Sequence, residues 1–262
     1  MQRNKIFLIA IALPLVFQTC FAQTSTFTSV SAGNWTPIVA PDSIAAGFGT
    51  NLATQTFSSL TVPLPLQLAN VSIQLTDSTK AANSAGLFMA SQGQVNFEIP
   101  ATAAVGLGMA TVTSSSGSKT TGNVLISNVA PAFFAANENG TGVAAGEVLY
   151  YPATGSSTYT FTYAAGSGGY VTNPIVLAPT TKVFLVLYGT GFRRHSPNPV
   201  EATVGGVKVP VTYAGVVAGY VGLDQINIGP LPQTLAGTGK GDVNVSVVVD
   251  GVPANTVTVN FQ

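Results

Sequence analysis

Val243-Asn244-Val245-Ser246-Val247-Val248-Val249-Asp250-Gly251-Val252-Pro253-Ala254-Asn255-Thr256-Val257-Thr258-Val259-Asn260-Phe261 decides the fold class. Side chains on an extended chain point to alternate faces, so Val243, Val245, Val247 and Val249 share one face. Val257, Val259 and Phe261 do the same after the turn, with Thr256, Thr258 and Asn260 opposite. Asp250-Gly251 suits the positive φ values of a tight hairpin turn. Pro253 cannot donate to a ladder, which predicts a kinked start to the last strand.

The same grammar extends toward the N-terminus. Glu201–Val204, Gly205-Gly206 and Val207–Val211 read as a second hairpin, with Pro210 marking an edge strand or a bulge. Lys182–Tyr188 is largely apolar and reads as a central strand covered on both faces, with the weaker Ser43–Phe48 as its counterpart. Further strands are expected at Asn70–Thr76, Gln94–Ile99, Met109–Thr113 and Asn123–Ser127. Ser114–Lys119 has the composition of a mobile loop. Only 7% of residues are Asp, Glu, Lys or Arg, so the usual exposed helix formers are nearly missing. The expectation is an all-β chain.

The chain also repeats itself. Ala40-Pro41 leads to Gly49-Thr50-Asn51-Leu52, and Ala178-Pro179 leads to Gly189-Thr190-Gly191-Phe192. Gln94-Val95-Asn96-Phe97 is echoed by Gln225-Ile226-Asn227-Ile228. The offset is roughly 130–140 residues, about one domain. Gly49, Gly189 and Gly191 are expected to permit tight turns at strand ends. Asn51 and Gly191 hold matching positions and are the residue types that most easily turn left-handed. Gln94 with Asn96, and Gln225 with Asn227, face one way on a strand. Their structural reading is a hydrogen-bonded brace to the neighbouring Gly-Thr turn, and their functional reading is ligand contact.

These landmarks resemble a large family of acidobacterial secreted proteins whose module is called the Solibacter-type uncharacterised C-terminal domain. The resemblance is carried by Val183–Arg193, Val204-Gly205-Gly206, Tyr220–Asn227 and Gly251–Val257. In the first half it is carried by Ala40–Ile44, Phe48–Leu52, Gln94–Pro100 and Ala130-Pro131-Ala132-Phe133-Phe134. It implies two tandem immunoglobulin-like sandwiches of the IPT/TIG type, and no particular activity. The expected layout is a signal peptide over 1–22, a first sandwich over 23–135 and a second over 136–262 that opens with a Tyr/Gly-rich insertion.

Arg3, Lys5 and the apolar run Ile6–Phe17 have the form of a secretory leader, with small residues at Cys20 and Ala22 for cleavage before Gln23. Acylation of Cys20 is the alternative reading. Cleavage after Ala22 would remove the one cysteine, and with it disulfides, thiolate metal sites and a thiol nucleophile. It would leave seven basic residues against nine acidic. No basic stripe exists for nucleic acid, and no polybasic or long apolar segment for membrane insertion. Few charged gatekeepers guard the edge strands, so homo-association through edges is expected as a possibility.

Catalytic patterns are scarce. The one histidine, His195, sits in Arg193-Arg194-His195-Ser196 without a Gly-x-Ser-x-Gly elbow, and a neighbouring cation makes imidazole a poorer base. This loop reads either as a solvated connection or as a small cationic contact for an acidic glycan or protein partner. No metal set and no cofactor motif is present: Gly237–Asp242 lacks phosphate-loop spacing and precedes a strand. Nine dispersed carboxylates give no recognisable glycosidase pair. Tyr150, Tyr151, Tyr159, Phe161, Tyr163 and Tyr170 crowd one segment, and Tyr159, Phe161 and Tyr163 share a strand face. Exposed, they form a stacking platform; buried, they weld the two halves. Trp35 is read as a cover for one end of the first sandwich.

The resulting expectation is a secreted or cell-surface, non-enzymatic protein for adhesion, assembly or scaffolding, with a protein or glycan partner. A carbohydrate-binding module is the first alternative, and a glycoside hydrolase the second.

Overall fold

The computed structural model describes residues 26–237 and 241–262. The expected leader, its cleavage after Ala22, and Cys20 lie outside the described residues, as does Lys240. Strands account for the described secondary structure, apart from one short 3-10 turn at Gln233–Leu235. The chain is all-β.

Four larger sheets pair into two layered units. In the first half, one sheet runs Thr28–Ser31, Ile44–Phe48, Gln94–Glu98, Leu87–Ala90, Phe57–Ser58. Facing it is Ile38–Val39, Lys119–Ile126, Gly106–Thr113, Ser72–Thr76, Ala82–Ser84. In the second half, one sheet runs Thr158–Phe161, Gly146–Pro152, Thr181–Thr190, Asp224–Ile228, Val211–Val216. Its partner runs Gly142–Val143, Val257–Phe261, Asp242–Val249, Glu201–Val204, Val207–Val209.

The sequence repeat is therefore a repeat of topology. Phe48 pairs Gln94 and Ala46 pairs Asn96 in one half; Tyr188 pairs Gln225 and Val186 pairs Asn227 in the other. Ile38–Val39 runs parallel to the strand ending at Ile126, as Gly142–Val143 runs parallel to Val257–Phe261. Even the irregularities match: the register slips between Leu87 and Met89 beside Asn96, and between Val211 and Tyr213 beside Asn227. A bulge places an extra residue on one strand and bends it, so its recurrence gives both sheets the same local bend.

Each half has its own core. Ile73, Leu75, Val95, Phe97, Val112 and Val124 belong to the first cluster; Leu185, Ile226, Val245, Val247, Val257 and Phe261 belong to the second. Burying each such side chain stabilises by about 1.5–3 kcal/mol. The C-terminal valines point inward as their alternation predicts, and Asp250 and Gly251 turn with φ of 49° and 79°. Lys182–Tyr188 lies inside Thr181–Thr190, paired on both sides.

The structure adds detail to these expectations. Ala130–Phe134 packs with the second half. Val129 and Phe133 join the second core, and Ala132–Phe133 pairs with Thr190 and Gly189. The Val129 and Phe133 side chains pack in the second core although they lie within 23–135. Gly189 is accordingly a strand residue whose missing side chain admits the Ala132 carbonyl, rather than a turn glycine. Ser114–Ser118 forms a tight turn before the strand that starts at Lys119: the Ser114 N–H donates to the Ser118 carbonyl at 2.8 Å, and Ser114 is buried. At Pro210 the chain leaves the edge strand Val207–Val209 and enters the opposite sheet at Val211.

Candidate functional site: a groove between the two halves

Alternation on two neighbouring strands builds one wall. Ala45, Val95 and Phe97 fill the first core, so Ile44, Ala46, Gln94 and Asn96 face outward. Phe134, Ala136, Glu138, Gly140, Tyr163 and Tyr170 supply the other wall. Between them lies a groove of about 690 Å³, within the usual size of small-ligand clefts.

Trp35 stands at this groove. Its backbone is left-handed at φ 62°, and its ring stacks on Phe48 with centroids 5.7 Å apart at 29°. It is 42% exposed. Gly140 gives it room: a Cβ there would come within 2.9 Å of Trp35 Cδ1.

The aromatic row is exposed at Tyr159, Phe161 and Tyr170 and half-buried at Tyr163. Tyr159, Phe161 and Tyr170 are 60%, 47% and 46% exposed. Tyr159 and Phe161 lie 6.0 Å apart edge-on, Phe161 and Tyr163 stack at 5.3 Å, and Tyr163 and Tyr170 meet at 5.0 Å. The row leads into the groove through Tyr163 and Tyr170. Thr162 holds it in place: the residue is fully buried, and its hydroxyl donates to the carbonyls of Ala144 and Gly146 at 2.6 and 3.1 Å. Thr162 is the bend between the strands Thr158–Phe161 and Tyr163–Gly166, so its anchoring fixes where the row passes from one to the other. Asn137 clamps the other arm, accepting the Tyr170 N–H at 2.7 Å and donating to the Tyr170 carbonyl at 2.8 Å. That clamp spans 33 positions, and no local signal in the sequence announces it.

The amide pairs do not brace the Gly-Thr turns. Gln94 Nε2–H donates to Asn96 Oδ1 at 2.8 Å, and Gln225 Nε2–H to Asn227 Oδ1 at 2.7 Å. The turn after Phe48 is held by main chain instead, Gly49 N–H to Gly93 O and Leu52 N–H to Gln92 O. Asn51 adopts φ 55° and Gly191 φ 84°, as matching left-handed positions, and Thr50 is exposed. Thr190 departs from this pattern: it is buried at the junction, where it accepts the Ile44 N–H and donates to Gly222 O, each at 2.8 Å.

The cationic loop is spent on ion pairs. Arg193 Nε meets the buried Asp224 Oδ1 at 2.6 Å, and Asp224 Oδ2 also accepts the Phe192 N–H at 2.8 Å. Burial pushes the Asp224 carboxyl up, opposed by the Phe192 N–H and by Arg193. Arg194 reaches across to Asp42 at 2.6 Å and to the Ala101 carbonyl. His195 sets Nδ1 2.6 Å from the Ser196 carbonyl and Nε2 3.2 Å from the Ala214 carbonyl, so that either ring N–H has an acceptor. Arg194 thus links the two halves, while Arg193 and His195 bond within the second.

Among the described residues no three His, Cys, Asp or Glu side chains gather as a metal set, and Glu138 is the one carboxylate among the groove residues. The arrangement can stack rings against an apolar face and offer the remaining amide groups of Gln94 and Asn96 to hydroxyls.

No family model matches the chain, and no curated protein matches it. Among solved structures it is similar to SGBP-B of the Bacteroides ovatus mixed-linkage glucan utilization locus, in complex with a mixed-linkage heptasaccharide. Identity is 12%, coverage 86% of this chain and 44% of that one, and the TM-score 0.32. It is also similar to the plexin A4 extracellular region, at 8% identity, 92% and 19% coverage and TM-score 0.28. Murine CEACAM1b matches at 8% identity, 90% and 100% coverage and TM-score 0.20. The chain spans less than half of the first two. Overlaps this shallow leave function to be read from the chain's own residues.

Proposed function

We propose that this chain is a non-catalytic binding protein of the cell exterior, built of two tandem immunoglobulin-like sandwiches, and that the groove between them holds a glycan. Its place among the acidobacterial secreted proteins and its secretory leader belong to the same reading. The observation that carries it is the exposed aromatic row continuing into a groove that also presents Trp35 and the Gln94–Asn96 amides. Aromatic faces match the apolar faces of sugar rings, while amides satisfy their hydroxyls. Burying aromatic rows within the protein is the common alternative; leaving one in solvent beside a cleft is a feature of binding surfaces. Hydrolysis of a glycoside uses two carboxylates about 5–10 Å apart, and the groove residues include Glu138 alone. Adhesion or scaffolding is then the consequence of holding an external glycan.

The test is affinity electrophoresis of the protein through gels containing plant and microbial polysaccharides. Retardation by at least one polymer, lost in a Tyr163→Ala/Tyr170→Ala double variant that keeps its melting temperature, supports the reading. Unretarded migration across the whole panel rejects it.

A further inference from the structure

Resting on that reading, we infer that the groove and the aromatic row form one continuous track for an uncharged, extended polysaccharide several sugars long, and that acidic glycans are excluded. Charge argues the first half. The groove residues include no Arg, Lys or His, and their one ionisable acid is Glu138. Arg193 is paired with the buried Asp224 and the exposed Arg194 with Asp42, and neither arginine lines the groove. A uronic acid or sulfated sugar would meet a carboxylate and no compensating cation, and so would lose hydration without gaining a partner.

Shape argues the second half. Tyr159 and Phe161 hold alternate positions on the strand Thr158–Phe161, and Tyr163 follows across the bend at Thr162 as the first residue of Tyr163–Gly166, so the row runs from one strand into the next rather than closing round a single ring. Their centroids follow one another at 6.0 and 5.3 Å, and Tyr170 lies 5.0 Å beyond Tyr163 at the groove. The spacing is comparable with the breadth of a sugar ring, so successive sugars of one chain can contact successive side chains. A site ending at the groove would have no use for Tyr159, which stands 60% exposed at the far end of the row.

Isothermal titration calorimetry on the full chain tests this with neutral cello-, xylo- and manno-oligosaccharides of two to six units, and with alginate and polygalacturonate as acidic probes. The expected result is binding to a neutral series that tightens with length and changes little with salt. Tyr159→Ala should weaken the longest oligosaccharide about tenfold, as for loss of one stacked aromatic contact, and leave the disaccharide unchanged. Tighter binding of an acidic polymer, weakened by salt, would overturn the inference while leaving glycan binding intact. Equal affinity for the short and long neutral ligands, with Tyr159→Ala silent, would overturn the continuous track. Absence of binding to either panel would remove both this inference and the glycan reading beneath it.

Discussion

Ile44 and Thr190 are joined across the junction, the Ile44 N–H donating to Thr190 Oγ1 at 2.8 Å. The same hydroxyl donates to Gly222 O at 2.8 Å, and Thr190 is fully buried. Gly222 approaches so closely that a Cβ on it would lie 2.5 Å from Ile44 Cγ1. Thr190→Val keeps the shape but strands a half-buried donor, the Ile44 N–H, and a buried acceptor, the Gly222 carbonyl. A loss of about 1–3 kcal/mol is expected in chemical denaturation. Because the groove takes a wall from each half, its ligand affinity should fall with it. A denaturation midpoint equal to wild type would contradict the burial of this contact.

The Arg193–Asp224 pair is the most enclosed charge contact in the junction region. Asp224 receives the Arg193 Nε–H and the Phe192 and Arg193 N–H groups. Asp224→Ala leaves all three unmet and Arg193 uncompensated with 13% side-chain exposure. A cost of about 3 kcal/mol follows, at the low end for a broken buried pair because Arg193 keeps some solvent. Asp224→Asn retains an acceptor for the main-chain donors and should cost less. Equal melting temperatures for Ala, Asn and wild type would show that the pair is dispensable.

Two acids should give opposite pH responses. Burial, and then the charge of Asp42, raise the Glu98 carboxyl above its ordinary value, with Arg193 acting against them. A raised acid binds its proton more tightly when folded, so its ionisation costs stability at neutral pH. Glu98→Gln should therefore raise the melting temperature at pH 7, and the gain should vanish below about pH 4, where glutamate is protonated in both states. Asp77 is the reverse. The Ala104 N–H and the Thr79 hydroxyl hold its carboxyl below the ordinary value, at 3.0 and 2.7 Å. Its contribution is present above about pH 4 and is lost as pH falls through the folded value. Asp77→Asn should lower the melting temperature at pH 7 and flatten the acid limb of its pH profile. Differences of the opposite sign would refute either assignment.

These contacts also show what a sequence can and cannot reveal here. The alternating valines were legible because burial on a sheet has a period of two. Asn51 and Gly191 were legible because few residue types tolerate positive φ. The packing of Val129 and Phe133 in the second core was hidden, since both are apolar and suit either side. The fate of Arg194 was hidden because its partner Asp42 lies 152 positions away. The course of the tyrosine row depends on Thr162 being anchored at a sheet edge, and composition carries no trace of that. The Gln-x-Asn repeat was read correctly as two amides on one face, but each pair closes on itself rather than on a loop.

That self-pairing separates the two copies functionally. Gln94 and Asn96 line the groove, whereas Gln225 and Asn227 lie on the equivalent sheet of the second half, outside the groove lining. Both glutamines are half-buried and make similar amide bonds. Gln94→Ala and Gln225→Ala should each cost a comparable amount, about 0.5–1.5 kcal/mol for one lost hydrogen bond. Polysaccharide binding should respond to Gln94→Ala alone, because only that amide faces the ligand. Thermal melts paired with affinity electrophoresis on both variants read the two effects separately. Loss of binding in Gln225→Ala with Gln94→Ala unaffected would move the site to the second sheet and away from the groove.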